Sequence, residues 1–101
     1  MTYNIPKKIK LGGQTIKVYI KRTVEKEGCI GFYSSLLNEI HVQTHVEGRA
    51  MPTDKVEQTF WHEYAHALTD SCRQEAICSD EAFIDLMGEF LYQSLGHLPW
   101  K

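Results

Sequence analysis

The spacing of apolar residues changes once along this chain, at Met51-Pro52-Thr53-Asp54, which divides it into a strand-forming half and a helix-forming half. Before the boundary, Ile9-Lys10-Leu11 and Ile16-Lys17-Val18-Tyr19-Ile20 alternate apolar and polar side chains, the period of a half-buried strand. Gly12-Gly13 between them can take the positive φ of a tight hairpin turn. A third apolar run, Cys29 to Tyr33, follows the turn-like Glu25-Lys26-Glu27-Gly28, and Glu39-Ile40-His41-Val42-Gln43 alternates again. Beyond the boundary, Val56, Phe60, Tyr64 and Leu68 recur at every fourth position and predict a helix over about 54–71, with Thr53 as its N-cap. A connection from Ser71 to Cys78 leads to Ser79, a second cap candidate. Phe83, Leu86, Met87, Phe90, Leu91 and Leu95 then make a second amphipathic helix, closed by Gly96. Strands first and helices afterwards mean an α+β fold: a small N-terminal antiparallel sheet of three to four strands, followed by two packed helices.

A chain of 101 residues has room for one domain, here 1–101. Its 43% hydrophobic and 24% charged residues are those of a globular protein. Apolar stretches are short and interrupted by charge, so no membrane span or membrane partner is expected. Cys29, Cys72 and Cys78 are an odd and sparse set, unlike a disulfide framework. With no apolar run at the N-terminus, they point to a reducing, cytoplasmic setting. Residues 1–26 carry seven lysines and arginines against one acid, a net +6, whereas residues 27–101 carry a net −8. The lysines alternate with apolar residues as solvated strand positions do. The basic segment lacks clustered aromatics, so a nucleic-acid partner is not expected.

Inside the first helix stands His62-Glu63-Tyr64-Ala65-His66, the pattern H-E-x-x-H. Residues four apart in a helix lie one turn above each other, so both imidazoles leave the same face. Two neutral imidazole nitrogens so placed can share one zinc ion at about 2.0–2.1 Å each. Glu63, one step round, suits a general base acting on a metal-bound water better than it suits a ligand. A catalytic zinc usually has a third protein ligand, and Glu81 is the best candidate. It falls in the first turn of the second helix, where the helix dipole favours a carboxylate. Asp85, one turn on, could accept the outer N–H of a ligand histidine, and Gly88 on the same face lets two helices approach closely. Asp70, one turn beyond His66, is a further supporting candidate.

The segments His62 to Asp70 and Glu81 to Gly88 resemble the active-site helix pair of thermolysin-like gluzincins, matching H-E-x-x-H-x-x-x-D and E-x-x-x-D-x-x-G. The short sheet ahead of the helices looks more like the compact phage and bacterial metallopeptidases related to the ImmA/IrrE group. The resemblance implies that His62, His66 and Glu81 bind zinc, that Glu63 is catalytic base and acid, and that Asp85 supports a ligand. It also implies a protein or peptide substrate, extended along a strand beside the cleft, here Glu39 to Gln43. The expected activity is zinc-dependent peptide-bond hydrolysis, and the alternative is a catalytically weak or inactive, metallopeptidase-like protein-binding module. Larger enzymes of this type stabilise the oxyanion with residues that have no counterpart here. Tyr33, His41, His45 and His97 are the candidates for that role, with Tyr33 and His41 singled out as possible oxyanion or substrate contacts. Glu75 and Glu89 are alternative acids to Glu81. Cys72 and Cys78 fit no zinc-knuckle spacing and read as core or loop residues, as Tyr64, Phe60 and Trp61 read as packing. His41 and His45 read as exposed strand positions.

Overall fold

Gly12 (φ 57°) and Gly13 (φ 80°) both adopt positive φ, and so join β1 (Lys8–Leu11) to β2 (Gln14–Lys21) through a tight hairpin with Leu11 opposite Gln14. The structure is a computed structural model that describes residues 3–24, 26, 28–73 and 75–100, with the side chain of Glu75 outside the description. The turn residues Glu25 and Glu27 therefore also lie outside the described residues.

β3 (Gly31–Ser34) and β4 (Glu39–Gln43) form a second antiparallel hairpin. The four strands make one sheet in the order β1-β2-β4-β3. The fold is α+β as expected, but the sheet is mixed rather than wholly antiparallel, because β2 and β4 run parallel, with Lys17 beside Glu39 and Lys21 beside Gln43. After β2 the chain passes beyond the place of β4, lays β3 at the edge, and inserts β4 between. Burial explains the insertion, since Ile40 and Val42 are wholly inaccessible and a strand with such residues belongs in the middle of a sheet. The expectation that Glu39–Gln43 borders a cleft is thereby corrected: β4 is central, and the strand at that edge of the sheet is β3, with β1 at the other. A two-stranded ribbon of β5 (His45–Val46) and β6 (Arg49–Ala50) follows, turned by Glu47 (φ 51°) and Gly48 (φ 79°).

α1 (Thr53–Ser71) starts one residue earlier than expected. Pro52, not Thr53, occupies the cap position, and its carbonyl accepts the N–H groups of Lys55 and Val56 at 3.0 and 3.2 Å. The connection after α1 contains a helical turn, α2 (Glu75–Cys78). α3 (Glu81–Leu95) is capped by Asp80, whose side chain accepts the Phe83 N–H, while Ser79 donates its hydroxyl to the Ala76 carbonyl. Gly96 closes α3, as expected.

Val56, Phe60, Trp61 and Ala67 of α1 pack with Ile5, Ile16, Ile40 and Val42 to form the core. Leu91, Tyr92 and Leu95 of α3 and Trp100 beyond it lie against this cluster. The inward face of α3 is Ile84, Gly88, Leu91 and Leu95, and Phe83, Leu86 and Phe90 are exposed, which corrects the apolar stripe expected from spacing alone. Gly88 decides the orientation. A Cβ there would stand 2.9 Å from the His62 Cα and 3.2 Å from its nitrogen, so only glycine lets α3 rest on the α1 backbone. No helix of the described residues is long and apolar enough to cross a membrane.

Candidate metal centre

The contact of Gly88 with His62 sets Glu81 and Asp85, earlier on the same face of α3, beside the two imidazoles of α1. Glu81 reaches both: Oε1 lies 3.3 Å from His62 Nε2 and Oε2 lies 2.9 Å from His66 Nε2. The ligand atoms of His62, His66 and Glu81 lie within 4.8 Å of one another, and this group could hold a metal ion. A tetrahedral ion with bonds of about 2.0–2.1 Å sets neighbouring ligand atoms about 3.3 Å apart, close to the two histidine–carboxylate separations of 3.3 and 2.9 Å. The Glu81 side chain is 63% exposed, against 25% and 18% for His62 and His66, so the group is open on the carboxylate side.

The second nitrogens of the imidazoles are held by different partners. His62 Nδ1 lies 2.9 Å from Asp85 Oδ1. His66 Nδ1 lies 3.6 Å from Cys78 Sγ. Asp70 is engaged elsewhere: its Oδ2 accepts the Tyr33 hydroxyl at 2.8 Å. Burial, then the hydrogen bond and the charge of Asp70, raise the Tyr33 hydroxyl above its ordinary pKa.

Glu63 is 7% exposed, tucked between α1 and β3. Gly31 lets β3 lie this close to α1, because a Cβ there would stand 2.7 Å from Thr59 Cγ2, while Glu63 Cγ at 3.5 Å would be an ordinary contact. Burial pushes the Glu63 carboxyl up to about 7, and the charge of Glu81 adds to the effect, while His62 and Lys26 oppose it. A cation bound to the neighbouring histidines acts in the same direction as His62 and Lys26.

Two hollows flank the group. One of about 480 Å³ reaches Asp85, Gly88 and Glu89, and the other, of about 380 Å³, reaches Tyr33, His66, Asp70 and Cys78. Gly31, His62 and Glu63 line both and form the saddle between them, while His66 and Glu81 line the second hollow alone, so the candidate metal group opens from the saddle into that hollow. The Gln43 N–H donates to the Ile30 carbonyl at 2.8 Å, which makes Ile30–Gln43 and Phe32–His41 the hydrogen-bonded pairs of the β3–β4 ladder. The alternation turns the N–H and C=O of Gly31 and Tyr33 toward the open edge, along the same saddle.

His41 is not part of this group. It leaves the opposite face of β4 from Ile40 and Val42, where it is 9% exposed, stacked between Tyr19 and Phe32 at ring distances of 4.9 and 4.6 Å, with Nε2 2.9 Å from Glu39 Oε1. This corrects both its placement as a cleft contact and its reading as an exposed residue: a central strand has neighbours on both sides that cover it. His45 pairs its Nδ1 with the Thr44 hydroxyl at 2.7 Å, and neither it nor His97 lines either hollow. Glu89 lines a hollow but stands outside the ligand group, and Tyr64 packs against the core. Glu75 lies outside the described side chains.

Two residues of the site were not singled out for it in the sequence. Gly31 carried a signal, a glycine inside a strand pattern, which often marks a close approach. Cys78 carried none, since its contact with His66 depends on how α2 folds back. Comparison with protein-family models, curated proteins and solved structures finds no match to this chain, so a functional reading rests on the site itself.

Proposed function

We propose that the protein is a zinc-dependent peptidase. The observation that carries the reading is the meeting of His62, His66 and Glu81 beside a buried Glu63 carboxylate. His62, His66 and Glu81 would hold the zinc ion, which would supply Lewis acidity to a water molecule and to a scissile carbonyl. Glu63, one residue from His62 and sheltered by Gly31, takes the proton from that water and later delivers it to the leaving amine. Asp85 fixes the ring of His62 so that Nε2 faces the ligand group. An extended peptide pairs with the outward N–H and C=O groups of Gly31 and Tyr33, and its side chains enter the two hollows.

The test is Glu63→Gln, which keeps the size of the side chain and removes the base. The variant is expected to bind zinc as the parent does and to lose at least about 100-fold in hydrolysis of an unfolded protein substrate. A chelator is expected to abolish the parent's activity, and added zinc to restore it. Undiminished cleavage by a rigorously purified Glu63→Gln chain overturns the mechanism. One observation favours a second reading, a protein-binding module that keeps the metal without turnover: the Tyr33 hydroxyl, a candidate oxyanion donor, is given to Asp70. Stoichiometric zinc with no cleavage of any unfolded substrate supports that reading.

A further inference from the structure

Both histidines offer Nε2 to Glu81, and each must then hold its remaining hydrogen on Nδ1. For His62 the acceptor is Asp85. For His66 the group at Nδ1 is the thiol of Cys78, whose Sγ is 3.6 Å from that nitrogen and 3.4 Å from the His66 carbonyl oxygen. The sulfur stands on the far side of the ring from Glu81, so it cannot ligate an ion held at Nε2 together with that carboxylate. It belongs to none of the metal-capable groups among the described residues. The position comes from α2, which packs against both long helices and ends on Cys78.

We propose that Cys78 is the positioning residue of His66: Sγ accepts the Nδ1–H hydrogen, its own S–H is donated to the His66 carbonyl, and the Nε2 lone pair is left facing Glu81. This deepens the zinc reading and rests on it. A thiol serves as both acceptor and donor, which this location requires, though it is a weaker acceptor than a carboxylate and weaker in both roles than a hydroxyl. The two imidazoles are therefore gripped unequally, His62 by a carboxylate and His66 by sulfur.

The experiment measures zinc affinity by competition with a chromophoric chelator, for the intact chain, Cys78→Ala and Cys78→Ser. Loss of an outer partner of a ligand histidine costs about 10–100-fold in affinity, and that is the expected result for Cys78→Ala. Cys78→Ser keeps an acceptor and a donor and is expected to recover part of the loss, which a purely space-filling role does not predict. Circular dichroism of the metal-free chains identifies a variant that has failed to fold, in which case the serine variant decides. Cobalt supplies a second readout, and the intact chain is expected to show no strong sulfur-to-metal absorption. Such absorption makes Cys78 a ligand and overturns the proposal, as does Cys78→Ala binding zinc as tightly as the parent. If the intact chain takes up no zinc at all, the metal reading falls and this proposal with it. Zinc uptake with an unaffected Cys78→Ala chain removes this proposal alone.

Discussion

At the scale of single residues, the buried Glu63 carboxyl carries a consequence that is independent of turnover. In the metal-free chain its folded pKa is raised to about 7 from an ordinary 4.5, so the native state holds the proton more tightly than the unfolded chain does. The stability this contributes is fully present below about pH 4.5 and is lost as pH rises through about 7. Urea unfolding of the metal-free parent and of Glu63→Gln should therefore diverge between those limits, the parent losing up to about 3 kcal/mol relative to the variant. A difference that stays constant across this range contradicts the burial of the carboxyl. His62, Glu63 and His66 on α1, and Glu81 and Asp85 on α3, are each legible in the sequence as a set because their spacing is helical and local. The expectation that the two sets meet comes from the need for a third ligand and from the resemblance. The meeting of His66 with Cys78, and of Tyr33 with Asp70, joins residues with no such relation, and spacing could not pair them.

Among the elements, the crossing of α1 and α3 turns on one position. The obstacle to any side chain at Gly88 is the backbone of His62, which has no rotamer to yield. Gly88→Ala is expected to cost about 1–3 kcal/mol in unfolding free energy, as overpacked core sites do. It should also weaken zinc binding, because it pushes Glu81 and Asp85 away from the imidazoles. A variant with parent-like denaturation and parent-like zinc affinity shows that the helices are not pinned there. The strands of the four-stranded sheet and the two long helices were legible because apolar periodicity is a local property, whereas β5, β6 and α2 are too short to show a period. The parallel pairing of β2 with β4 was not, since alternation is the same for either direction and either place in a sheet. The outward turn of Phe83, Leu86 and Phe90 escaped for a similar reason: α3 is apolar over a wide arc, and only the tertiary contact at Gly88 selects the face that goes in.

For the whole molecule, the ligand group spans two helices joined through α2, so an ion bound there stabilises the native chain and not the unfolded one. Zinc at about 100 times its dissociation constant should add about 2.7 kcal/mol, read as a rise in melting temperature that a chelator reverses. His66→Ala should abolish that rise, and a rise that persists in the variant places the ion elsewhere.

The Asn4 side chain donates to the carbonyls of Gly96 and Leu98 at 2.8 and 2.7 Å and accepts the Trp100 N–H at 2.9 Å. Residues so far apart in the sequence thus lie side by side, and the order in which the segments are encoded is separable from the architecture they build. A gene rearranged so that a short glycine-serine bridge runs from residue 100 to residue 4, with the break moved to the turn at Glu47 and Gly48, should yield a circular permutant with the same circular dichroism and the same zinc stoichiometry.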